Sequence, residues 1–203
     1  MGNELKGALR MEKERHEGKI LLETSELIFR GTDCRLKIAF AEMRGVKAAN
    51  GELRIATKDG ALTFEVGTAA EKWREKILHP KTRAEKLGVK PGTRVCLLGK
   101  FETSFARELQ GANAEIFRAA NVASLDQTFF AADRKSALAA IGKFARKMKG
   151  AEVLWIVYPK RQKDITEMDV IAAGRESGLK DVKVVGFSPT HTALKFVIPL
   201  EKR

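Results

Sequence analysis

The stretch PGTRVCLLGKFETSF, residues 91–105, runs an apolar strand out of a Pro-Gly corner, through Gly99, and into a helix start. A strand–turn–helix of this kind can offer backbone N–H groups to an anion when its turn is rich in glycine. Here Lys100, Phe101 and Glu102 follow the one glycine. Phe101 puts bulk where a ligand would touch backbone. Glu102, read as lying in the first turn of the helix, suits the helix dipole and competes with a bound anion. Further candidates are Asp133 and Arg134, and the basic loop YPKRQKD with Tyr158, Lys160, Arg161 and Lys163. In an open α/β sheet these positions fall at the carboxyl ends of the strands, where ligands favour the crevice. Gly99, Lys100, Asp133, Tyr158, Lys160 and Arg161 are therefore the candidate contacts for a phosphate- or nucleotide-like anion. The competing reading is a solvated charged loop, favoured because no glycine-rich nest accompanies the cations.

No catalytic residue and no metal centre is predicted. His16, His79 and His191 are scattered, and His191 sits in a turn, SPTHTA, with no nameable acidic partner. Cys34 and Cys96 lie in apolar strand-like runs without a CxxC pair, and read as buried, reduced thiols of a cytosolic protein. No apolar run approaches the ~20 residues of a membrane span. The charged N-terminus MGNELKGALRMEKERHEGK has no apolar signal core, so secretion is not expected. Lys and Arg outnumber Asp and Glu by 15 to 13 over residues 1–80 and by 23 to 13 over residues 81–203. Attraction for anions therefore belongs to the second half. A helix over 134–149, with Asp133 as N-cap and Gly150 just beyond its end, carries six of these cations. They crowd toward its C-terminal end, where the dipole favours them, while Leu138, Ile141 and Phe144 face the sheet.

Two hydrophobic periods divide the chain. Through residue 66 short alternations are broken by turn signals, Asn50-Gly51 and Asp59-Gly60 marking hairpins. GTAAEKWREKILHP then reads as one amphipathic helix with Thr68 and Glu71 as a capping box. Residues 80–91, bracketed by prolines, read as a linker. Beyond it lie strands at RVCLLG, AEIFRA, DQTFFAA, EVLWIVYP, VKVVGFS and ALKFVIP, alternating with helices at 102–110, 134–149 and 166–178. Alternation of this kind predicts an α/β sheet.

The first half, 1–79, resembles the pleckstrin-homology-like (PH-like) superfold, an antiparallel β-barrel with a C-terminal helix. The second, 92–203, is similar to class I S-adenosylmethionine methyltransferases. The likeness is clearest in ARKMKGAEVLWIVYPK and in AAGRESGLKDVKVVGFSPTHTALKFVI, where a central strand and a helix precede an antiparallel hairpin. The combination, with the junction KLGVKPGTRVCLLG, resembles a family of bacterial proteins of unknown function. Against the methyltransferase pattern, this chain departs in three places. Its loop after Gly99 lacks further glycines, AEIFRA ends without a ribose-binding carboxylate, and the few residues from Ala119 to Asp126 are too short for a parallel crossover. Either a strand–helix unit is missing or AEIFRA pairs antiparallel. The resemblance thus implies a truncated Rossmann-like domain with a degenerate cofactor site and no bound cofactor. The leading expectation is a non-catalytic cytosolic binding or regulatory protein with protein partners. The alternatives are a nucleotide- or S-adenosylmethionine-like ligand-binding enzyme or sensor at the strand ends, and weak association with nucleic acid through the basic second half.

Overall fold

In the computed structural model, described for residues 3–12, 14–119 and 124–202, the chain is mixed α/β and divides into two compact units, Met1–Lys81 and Thr82–Arg203. The first unit is one curled, all-antiparallel sheet. Its strands are β1 (Asn3–Met11), β2 (Glu14–Leu22), β3 (Glu26–Gly31), β4 (Arg35–Ala39), β5 (Gly45–Ala49), β6 (Glu52–Thr57) and β7 (Gly60–Glu65), in the order β4-β3-β2-β1-β7-β6-β5. β1 is the strand the charged N-terminus concealed: between its charges, Leu5, Leu9 and Met11 keep a period of two. Gly7 lies opposite Gly18. A Cβ at Gly7 would come 2.2 Å from the Glu65 carbonyl oxygen, so glycine is what lets the sheet curl there. Asn50 and Gly51, both with positive φ (51° and 78°), form the two-residue loop between β5 and β6. In the next hairpin Thr57 pairs with Gly60, so the loop is Lys58-Asp59, one residue earlier than the Asp-Gly signal implied. Helix α1 (Ala70–Leu78) lays Trp73 and Ile77 against a core of Leu9, Ile20, Phe29, Leu53, Ile55 and Phe64. Thr68 does not cap it. A 3-10 turn over Gly67–Ala69 leads in instead, so the capping box read from Thr68 and Glu71 is not formed.

The second unit begins inside the segment read as a linker. Thr82 and Glu85 form a capping box on the short helix α2 (Arg83–Lys86), and Ala84, Leu87 and Val89 enter the core. Then follow β8 (Arg94–Leu98), α3 (Thr103–Gly111), β9 (Glu115–Phe117), β10 (Gln127–Ala131), α4 (Ile141–Ala145), β11 (Val153–Pro159), α5 (Glu167–Glu176), β12 (Lys180–Gly186) and β13 (His191–Val197). The sheet order is β12-β13-β11-β10-β8-β9. β9, β8, β10 and β11 run parallel, and β13 is antiparallel to both β11 and β12. β9 is therefore not antiparallel. Among the described residues no helix stands between it and β10; residues 120–123 of the segment ANVAS lie outside the described residues.

Both faces of this sheet are covered. Phe129 and Trp155 stack against each other on the face that also holds Val95, Leu97 and Phe105. Phe130 points to the other, with Leu154, Ile156, Val170 and Phe196. The predicted 134–149 helix is shorter than its pattern. A 3-10 segment, Lys135–Ala140, precedes the five-residue α4, and Asp133 caps neither. Gly142 and the cations at 143, 146, 147 and 149 account for the short run: glycine weakens a helix interior, and like charges repel along one face.

Candidate functional site

β8, β10 and β11 end side by side, so their carboxyl ends gather Gly99, Asp133 and Tyr158 with their neighbours at one edge of the sheet. Gly99 has φ +96°, and a Cβ there would lie 3.1 Å from Ala131 Cβ on β10. Its glycine character serves a turn packed on the adjoining strand. Phe101 keeps its ring inside the protein, 5.8 Å from the ring of Phe105 and 6.1 Å from that of Phe187. Glu102 is the residue before the first turn of α3 and does not cap it through its side chain. Its carboxylate instead accepts from Ser104 Oγ (3.1 Å) and from Arg83 (3.3 Å).

Arg83 is the residue that the linker reading missed. Its side chain, 13% exposed, lies over the rings of Phe105 (4.9 Å) and Phe187 (4.6 Å). It grips both oxygens of Glu108 at 3.0 and 2.9 Å and donates to the Phe187 carbonyl at 3.2 Å. A bidentate, ring-stacked guanidinium of this kind is held in one geometry. The T-x-x-E spacing of Thr82 and Glu85 is the sequence signal that could have revealed a helix, and with it Arg83.

Two of the six candidate contacts are committed elsewhere. Tyr158 is buried, and its hydroxyl donates to Glu167 Oε2 at 2.9 Å. Burial first, and the Glu167 carboxylate second, push its phenol well above the ordinary tyrosine range, so it offers no phenolate at neutral pH. Lys160 Nζ donates to the Ser188 carbonyl at 2.6 Å, tying β11 to the loop before β13. The side chains of Lys100, Asp133 and Arg161 are solvent-exposed, and Arg161 has φ +56°. The second-strand position is equally unlike a ribose site: β9 ends at Phe117, whose ring lies 5.0 Å beneath the Arg94 guanidinium, and Arg118 follows. His191 shares its Nδ1 with Thr190 Oγ1 (2.9 Å) and Ser188 Oγ (3.4 Å), a turn arrangement with no carboxylate. Among the described residues no cluster of three or more His, Cys, Asp or Glu could hold a metal ion. No helix among them is long and apolar enough to cross a membrane. Cys34 and Cys96 are free thiols, and burial raises the Cys96 pKa.

No family model and no curated protein matches the chain. Solved structures similar to it include an S-adenosylmethionine-dependent methyltransferase from Aquifex aeolicus, at 14% identity and TM-score 0.45, covering 62% of this chain and 89% of that one. A putative methyltransferase from Thermoplasma acidophilum is 13% identical, with TM-score 0.40, and covers 94% of each chain. A C-terminal domain of an unknown protein from Leishmania infantum is 9% identical, with TM-score 0.33, and covers 37% of this chain and 78% of its own. These likenesses are too distant to assign an activity. The site has to be read from its own geometry.

At the opposite, amino-terminal edge of the same sheet the chain leaves a wide depression of about 1040 Å³. Leu125, Phe144, Met148 and Leu154 are among its apolar lining, and Lys90, Lys147 and Lys149 stand around it. Gln127, buried beneath, donates from Nε2 to the Gly88 carbonyl at 3.1 Å and so pins the segment after α2 to β10. The usual ligand edge of an α/β sheet is the other one, and nothing local in the sequence marks this edge.

Proposed function

We propose that the chain is a non-catalytic, cytosolic binding or regulatory protein, built from a PH-like unit and a truncated methyltransferase-like unit. Support for the PH-like reading is the strand order β4-β3-β2-β1-β7-β6-β5 followed by the single helix α1 on β5 and β6. Support for the second is the parallel block β9-β8-β10-β11 closed by the antiparallel pair β13 and β12. Within that frame the adenosyl position would adjoin the turn after β8.

One observation carries the reading. The turn where a cofactor would meet bare backbone holds Phe101, packed on Phe105 and Phe187 and bordered by the Arg83–Glu102 pair. Tyr158 and Lys160 are bonded to the protein itself, which takes two of the six candidate contacts out of reach of an adenosyl group. A protein-contact role for the first unit fits its nearly balanced charge better than a lipid surface does.

A thermal-shift titration with S-adenosylmethionine and S-adenosylhomocysteine tests this. A site filled at 100 times its dissociation constant adds about 2.7 kcal/mol of stability. The expected result is no saturable shift with either compound. A saturable shift that is lost in Gly99→Val would overturn the reading.

A further inference from the structure

We propose that the groove at the amino-terminal edge of the second unit's sheet binds a single strand of nucleic acid. Several cations of the first unit are held by its own carboxylates: Lys19 by Glu4, Lys37 by Glu26, Arg54 by Glu52 and Arg74 by Glu71. Those around the groove are not. The side chains of Lys90, Lys147 and Lys149 make no ion pair with any described residue, and all three are exposed. They belong to the half of the chain in which Lys and Arg exceed Asp and Glu by 23 to 13. Unpaired lysines that neutralise the phosphates of a nucleic acid release the cations condensed on it, and that release favours binding.

The floor decides which polyanion. Phe144, half-buried with its ring 5.0 Å from Phe130, and Met148 give the groove an apolar bed between the lysines. A single strand has base faces to lay on such a bed and phosphates to give to the rim. A duplex keeps its base faces stacked inside and presents mainly phosphate. An acidic peptide has the charge but no planar face. Two carboxylates also line the groove. Asp126, exposed, accepts the Arg94 backbone N–H on Oδ2 at 2.8 Å, and Glu152 is half-buried, so three exposed lysines stand against one exposed carboxylate at the rim. This inference stands whether or not the opposite edge takes a cofactor.

The test uses the full chain and a fluorescent oligo(dT) of about fifteen nucleotides, a length that spans one site of this class. Anisotropy titrations at several salt concentrations are compared with a duplex of the same length. The expected affinity falls with salt at a slope near −0.7 per phosphate engaged, thus about −2 for three lysines. Lys147→Glu/Lys149→Glu should weaken binding by about tenfold or more and flatten the slope, with an unchanged melting temperature; Lys90→Glu should do the same to a lesser degree. Arg107→Glu/Arg118→Glu, the same charge change away from the groove, on α3 and after β9, should stay within about threefold of the parent. The inference is overturned by no binding at low salt, by equal loss in both double variants, or by duplex or poly-glutamate binding as tightly as the single strand.

Discussion

The two edges of the second unit's sheet are made from the same strands and differ in what their side chains are already doing. At the carboxyl edge Tyr158 is bonded to Glu167, Lys160 to the Ser188 carbonyl, and Phe101 to its neighbouring rings. At the amino edge Lys90, Lys147 and Lys149 surround a depression and pair with nothing described. Position in an α/β fold favours the first edge as a ligand site, while an open depression with an apolar floor and lysines around it favours the second. A crevice is a site only when its polar groups are free to be used.

The sharpest way to break this contrast is through Phe105, fully buried and in ring contact with Phe101, Phe129 and Phe187. Phe105→Ala should cost about 3–5 kcal/mol in a denaturant titration, because it removes a large core ring and leaves Arg83 without one of its two stacking surfaces. A loss under about 1 kcal/mol would show that the rings beside the turn are loosely held, and that the carboxyl edge has room after all. Next in size is Arg83→Leu. It preserves apolar volume while stripping Glu108 of a bidentate partner, and should cost about 1.5–3 kcal/mol. If Arg83→Leu were neutral, the guanidinium would be a bystander and Glu102 would be free to act otherwise.

How much of this was legible depends on range. Local signals carried the elements: the period-two runs of the first unit, Asn50-Gly51 as a hairpin, and Thr166 with Asp169 as a capping box that α5 does form. The same residues at 99, 133 and 158 were placed on the correct strand ends by alternation alone. Phe187 meeting Phe101 from the far end of the unit is a long-range fact that no window of sequence contains, and Tyr158 donating to Glu167, though only nine residues on, depends on how the chain turns back between β11 and α5. β1 is hidden by composition, since Glu4, Lys6 and Arg10 are interleaved with its apolar residues while the period survives. Residues 80–91 look like a linker because prolines flank them, although the capping box of Thr82 and Glu85 is local and readable. The amino edge was missed because its lysines, at 90 and at 147 and 149, come together only when β8 and β11 are laid in one sheet.

Gly99→Ala gives a finer test of the turn. With φ at +96° and Ala131 Cβ 3.1 Å from the added methyl, the variant should lose about 1–3 kcal/mol. If the methyl is tolerated, with a loss within about 0.5 kcal/mol, the turn has slack that a ligand could use.

The smallest expected effect separates a spent cation from an unspent one. Lys135, on the 3-10 segment after β10, holds Asp169 Oδ1 at 2.6 Å, while Thr166 donates to Asp169 Oδ2 from its hydroxyl (2.7 Å) and its backbone N–H (3.0 Å). The Lys135 hydrogen bond foremost, then those of Thr166, lower the Asp169 carboxyl from 3.8 to about 2. A carboxyl depressed on folding stabilises the native state fully above its unfolded pKa, and loses that contribution as pH falls through the folded one. The melting temperatures of the parent and of Asp169→Asn should therefore differ by a constant amount above pH 3.8 and converge as pH falls toward about 2. Lys147→Ala, which removes a cation with no carboxylate on it, should leave the shape of that acid limb unchanged. A Lys147 variant that reshapes the limb as Asp169→Asn does would mean that the amino-edge lysine has a carboxylate partner, and the contrast between the two edges would fail at the residue on which it most depends.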